Sequence, residues 1–223
     1  MKTSTTKHSF FYRNGLSLVF ITMFVCALIA QAITGWHEHN AERKQDHAAP
    51  ISLATYLQSG HFVSATFENF ESEFLQMALY VVLTVGLRQQ GSAESKSLDE
   101  EEEVDREPKP GKDAPWPVNK GGWVLKIYNN SLFILFLVLF LISWWLHLYG
   151  SWVDHNEQNV LNGQPQDSIG NYLTQANFWF ESFQNWQSEF LSIASIVVFT
   201  IFLRQKGSPE SKPVDAPDSE TGK

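Results

Sequence analysis

The 223-residue chain holds one cysteine, and it has no Cys/His spacing of the zinc-finger kind. A lone thiol, Cys26, cannot build a disulfide scaffold or a structural zinc site. Basic residues are also few: 16 Lys and Arg stand against 24 Asp and Glu, and the net charge of −8 argues against nucleic acid as a partner. There is no nucleophile motif, no phosphate-binding glycine loop and no His-Glu-x-x-His. The sequence therefore reads as non-enzymatic, and no cofactor is expected. Charge is missing altogether from two long stretches, and the averaged hydropathy hides this because the charges lie between the apolar blocks.

Those stretches run from Gly15 to Trp36 and from Ser131 to Trp152, each 22 residues without a formal charge. At 1.5 Å per residue each reaches ~33 Å, enough for a ~30 Å hydrocarbon core. Both end at a tryptophan, which suits the membrane interface. Two further apolar segments, Phe74 to Leu87 and Phe190 to Leu203, are 14 residues long. Alone they cover ~21 Å and fall short. If Arg88 and Arg204 mark their cytoplasmic ends, spans of ~20 residues start near Glu68 and Gln184 and carry Asn69, Glu73, Asn185 and Glu189 into the bilayer. A cleavable leader competes for the first run, since Ala30-Gln31-Ala32 resembles a cleavage site. The length of Leu16 to Ala32 and the return of an equivalent helix in the second half favour a retained span.

A shift of 116 residues aligns Tyr12 with Tyr128 and runs without a gap to Lys96 and Lys212, with 30 identities in 85 positions. They are uneven: 18 fall in the 30 positions from Phe67 to Lys96. Shared positions include Trp36/Trp152, His39/His155, Asn40/Asn156, Tyr56/Tyr172, Asn69/Asn185 and Glu73/Glu189. The expected fold is an all-α membrane protein with four transmembrane helices in two helical-hairpin repeats. Two spans per copy give both hairpins the same polarity, with a pseudo-twofold axis along the membrane normal.

Fourteen of the 16 Lys and Arg lie on the side of the two tails and the central linker, the helix ends next to them included, and the two loops hold only Arg43 and Lys44. The positive-inside rule then places both termini in the cytoplasm. The chain divides into a cytoplasmic tail (1–14), a first two-span repeat (15–96), an acidic linker (97–122), a second two-span repeat (123–212) and a C-terminal tail (213–223). The linker carries Asp99 to Glu103 and a Pro/Lys/Gly stretch, a composition expected to be disordered. Gly91 and Gly207 read as left-handed caps of the second and fourth helices. Beyond them Ser92, Glu94, Ser95 and Lys96 recur as Ser208, Glu210, Ser211 and Lys212. Ser52 and Ser168 read as caps of short surface helices.

Thr66, Asn69, Glu73, Gln76, Tyr80 and Thr84 follow steps of three and four along the second helix, and Ser182, Asn185, Glu189, Ser192, Ile196 and Thr200 match them on the fourth. Depth counting places Gln31, Glu73, His147 and Glu189 in one intramembrane layer ~7.5 Å below the outer interface, with Asn69 and Asn185 one turn nearer the outside. In one reading this layer only joins helices by hydrogen bonds, and the protein has an assembly or structural role. In another, Glu73 and Glu189 form a proton or small-cation pathway. A lesser alternative is a metal or haem site on His39, His155 and His147, although no metal set emerges from the spacing. Trp36, His39, Asn40, Trp152, His155 and Asn156 read as interfacial exit turns held by hydrogen bonds.

The run Phe67-Glu68-Asn69-Phe70-Glu71-Ser72-Glu73-Phe74-Leu75 and its counterpart Phe183 to Leu191, with the exits Leu87 to Ser92 and Leu203 to Ser208, resembles a family of bacterial membrane proteins built around a domain of unknown function. The resemblance covers nearly the whole chain. It implies a bacterial cytoplasmic-membrane location and no particular activity. The expected partners are the lipid bilayer and either a second copy of the chain or another membrane protein.

Overall fold

The computed structural model describes residues 9–222 and is all α-helical, with no strand among them. The N-terminal tail is thus described only from Ser9, and Lys2 and Lys7 lie outside the described residues. Helix α1 (Phe10–Gln45) is 36 residues long. It starts where the Ser9 side chain accepts the Tyr12 amide at 3.3 Å and ends with Arg43 and Lys44, cations that suit the negative end of the helix dipole. After it come α2 (Leu53–Tyr56), α3 (Gly60–Gly86), α4 (Trp116–Lys120), α5 (Gly122–Asn129), α6 (Ser131–Leu161), α7 (Ile169–Tyr172) and α8 (Ala176–Phe202).

Two of these helices, α1 and α6, are long and apolar enough to cross a membrane. Most apolar side chains of α1, Phe20, Ile21, Met23 and Phe24 among them, are exposed. Helices α3 and α8 each run 27 residues, ~40 Å, but acids in their first halves lower their hydropathy. Each continues without a break upstream of the apolar segment read from sequence.

The chain forms two compact units, one of residues up to Val63 with Gly150–Asp167, the other of Ser64–Tyr149 with Ser168 onward. Each unit draws on both sequence halves. In the first, α1 and α6 end alike. Ala48 N donates to Arg43 O at 2.7 Å and His47 N to Lys44 O at 3.3 Å, while Gln164 N donates to Asn159 O at 2.7 Å and Gly163 N to Val160 O at 3.1 Å. This is the Schellman pattern, with the left-handed position taken by His47 (φ 60°) and Gly163 (φ 68°). The N-terminus of α3 lies so close to α6 that a Cβ on Gly60 would strike Gly150 O and Asp154 N.

In the second unit, the Gln76 side chain donates to Glu189 O and Ser192 Oγ, each at 2.8 Å, and joins α3 to α8. The glycines expected to cap these helices do something else. Gly91 (φ 83°) and Gly207 (φ 84°) lie five residues past the helix ends, in turns closed by Ser92 N to Gln89 O at 3.2 Å and Ser208 N to Gln205 O at 3.1 Å. A positive φ at the third residue is what a type II turn requires. The recurrent residues that follow hold these turns: Ser95 Oγ accepts Gln89 N, and Ser211 Oγ accepts Gln205 N. Arg88 and Arg204 each return Nη1 to three carbonyls at the end of their own helix.

The linker departs from expectation, because 97–122 carries local order. Glu102 and Asp105 form a reciprocal cap around a 3-10 turn at Glu103–Asp105, and Lys96 pairs with Asp105. The Asn119 side chain bridges Gly111 and Ala114, and α4 opens with Pro117 in its first turn. These are short-range side-chain to backbone bonds, which a composition argument about core burial does not register. The C-terminal tail is also tied down: Gly222 N donates to Ser92 O, Gly91 N donates to Thr221 Oγ1, and the fully buried Lys212 ammonium donates to the carbonyls of Pro217, Asp218 and Glu220.

Candidate functional site

The exit turns are held by tryptophans and asparagines, and the expected hydrogen bonding by His39 is absent among the described residues. Trp36 Nε1 donates to Ile51 O at 2.8 Å, and Asn40 brackets the same residue through Nδ2 to Ile51 O and Oδ1 from Ile51 N. Trp152 and Asn156 repeat this on Asp167. The two histidines diverge. His155 meets Asp167 and Asn159, each at 3.0 Å. His39 is fully buried, and its ring packs 4.9 Å from His61 and 5.6 Å from Tyr56. Burial and the neighbouring His61 hold its pKa below 6.5, so it is neutral at pH 7. Of the three histidines of the lesser metal reading, His155 is engaged locally by Asp167 and Asn159, and His147 by Glu71.

In that unit an acid–histidine cluster forms. Glu71 and His147 are both fully buried, and His147 Nδ1 lies 2.7 Å from Glu71 Oε2. The other Glu71 oxygen accepts Trp186 Nε1 at 2.8 Å, so one carboxylate joins α3, α6 and α8. His147 Nε2 has no hydrogen-bond partner, yet Glu181 Oε2 and Glu68 Oε2 stand 3.6 and 3.9 Å from it. Phe178, also fully buried, packs its ring 4.9 Å from the imidazole.

The layer expected from sequence is therefore corrected. Glu73 is exposed on α3, and Asn69 is exposed and donates to Ala65 O at 2.9 Å. Residues 71 and 73 lie ~200° apart around a helix, so the buried acid and the expected one occupy opposite faces. Glu189 is half-buried and lies within electrostatic reach of Glu73, but neither contacts His147. Asn185 donates to Glu181 O at 3.2 Å. Gln31 is half-buried and belongs to the first unit. Of the expected layer, only His147 enters the cluster.

Glu68, Glu71 and Glu181 do not stand out in the sequence, because none of them is alike in both halves. The residues 116 positions away are Gln184, Gln187 and Ala65, and Gln31 stands for His147. For Glu68 and Glu71 the available signal was the exchange of a carboxylate for its amide, which leaves shape nearly unchanged while removing charge; Glu181, opposite Ala65, carries no such signal.

No curated protein and no solved structure matches the chain. The family described as a domain of unknown function, DUF6766, matches residues 7–223, and the chain belongs to that family.

Proposed function

We propose that the chain is a non-enzymatic integral membrane protein of the bacterial cytoplasmic membrane. In this reading four spans, α1, α3, α6 and α8, form two tandem hairpin repeats with both termini cytoplasmic. The length of all four helices supports it, as do the paired exit turns and the paired Arg-Gln-x-Gly-Ser turns after α3 and α8. The cluster of Glu68, Glu71, His147 and Glu181 is then an intramembrane site that takes up and passes a proton or small cation.

One observation carries this reading: three carboxylates surround one buried imidazole. A single Glu71–His147 pair would suffice to join helices. With all groups ionised the cluster holds an excess of two negative charges, which low dielectric penalises unless a proton or cation joins them. The alternative centred on Glu73 and Glu189 loses its footing because Glu73 lies on the exposed face. A structural role keeps one specific support, the Glu71 bridge between His147 and Trp186.

The test is reconstitution into liposomes with an entrapped pH-sensitive dye and an imposed proton or Na+/K+ gradient. Wild-type protein should dissipate a gradient, and Glu68→Gln with Glu181→Gln should slow it at least tenfold while the fold survives. Flux equal to that of empty vesicles removes the pathway and leaves the structural role.

A further inference from the structure

The histidine cluster just beyond Trp36 has features that the exit turn does not use. His39 is fully buried, and neither ring nitrogen has a hydrogen-bond partner among the described residues. Buried polar side chains are costly unless something satisfies them. Beside it lie His61, half-buried, and Glu42, which reaches the surface one helical turn after His39 on α1. One ligand-capable atom from each of the three lies within 4.8 Å of the others.

We propose that His39, Glu42 and His61 bind a divalent transition-metal ion of the Zn2+ class. Two imidazoles and one carboxylate form a donor set that such ions favour, and three protein ligands leave a further position open. Tetrahedral coordination at ~2.1 Å brings ligand atoms to ~3.4 Å of each other, so separations of up to 4.8 Å must contract by as much as ~1.4 Å. The exposed Glu42 side chain is free to supply that movement. Tyr56 OH meets His61 Nδ1 at 3.1 Å, the outer-shell bond that sets a ligand ring's orientation, and Nε2 is left for the metal. The neighbouring Arg43 is ion-paired with Glu157, which offsets its repulsion of a cation.

The same chain contains a comparison. At 116 residues further on, His39 returns as His155, but Glu42 becomes Gln158 and His61 becomes Asn177. Neutral amides are poor ligands for these ions, and His155 is already bonded to Asp167. One site per chain is the consequence. All its residues lie in the first unit, so vesicle flux through the acid–histidine cluster and metal binding here succeed or fail separately.

The experiment is titration of the purified, chelator-stripped full chain in detergent micelles with Zn2+, alongside Co2+ as an optical probe. Wild-type protein should bind one equivalent of Zn2+, and Co2+ should give the intense visible bands of a four- or five-coordinate ion. His39→Gln and His61→Gln should weaken Zn2+ by at least about tenfold, and so should Glu42→Gln, whose exposed position leaves the fold intact. Replacing the exposed His37 by Gln should change nothing. Absence of saturable Zn2+ uptake by the wild type overturns the proposal. So does unchanged affinity in Glu42→Gln, or binding lost in His147→Gln and kept in His39→Gln. Should His39→Gln fail to fold, Glu42→Gln and the wild-type Co2+ spectrum decide.

Discussion

At the scale of the residue, two glutamates one residue apart have opposite fates. Glu71 is buried, bonded to His147 and Trp186, while Glu73 meets no partner of that kind. Glu71→Leu strands two buried polar groups and should destabilise the protein by roughly 3–5 kcal/mol. Glu73→Leu should stay within about 0.5 kcal/mol of wild type. Thermal unfolding in detergent checks the ordering, and a larger loss for Glu73→Leu would refute the assignment. The buried acid was not legible from internal repetition, because Glu71 faces Gln187 across the 116-residue shift and so drops out of any set of shared positions. The Trp36 and Asn40 clamp was legible only as two positions alike in both copies, because nothing in their order shows that they, and not His39, hold Ile51.

At the scale of the element, the ends of α1 and α6 are the same Schellman motif with different residues at the left-handed position. His47 holds φ 60° where Gly163 holds 68°. Glycine has no Cβ penalty there, so His47→Gly should stabilise the protein by about 1 kcal/mol, read as a raised Tm. A lowered Tm would show that the His47 side chain contributes contacts of its own. The linker offers a pH test. The Lys96 hydrogen bond holds the Asp105 carboxyl below its usual 3.8. A folded pKa below the unfolded one means that the contribution is present above pH 3.8 and lost as pH falls through the lower folded value. NMR shifts of Ser97 to Asp105 should therefore move towards random-coil values as pH is taken well below 3.8 and be unchanged between pH 5 and 7. A turn intact at pH 2 would count against the pair. Local order of this kind is invisible to composition, which weighs core burial and not caps.

At the scale of the whole molecule, the proposed topology places residues 46–59 and 162–175 opposite the linker and both tails. In a Cys26→Ser background, His47→Cys should react with a membrane-impermeant maleimide in intact cells, and Ala114→Cys only after lysis. Labelling of both in intact cells would rule out the topology. Orientation rests on Lys and Arg counts, and helix length on the apolar runs, both of which are properties of the chain read in order.

Read in order, the chain discloses the helical class, the approximate place of four long helices and the pairing of its two halves. Each follows from interactions within a few residues or from the hydropathy of a continuous run, and these survive any arrangement of the helices. Only the tertiary structure decided which acids face which histidines. Glu68, Glu71 and Glu181 meet His147, and Glu42 meets His39 and His61, because helix rotation sets the buried face. At ~100° per residue Glu71 and Glu73 stand ~200° apart, so the packing that buries one on α3 exposes the other.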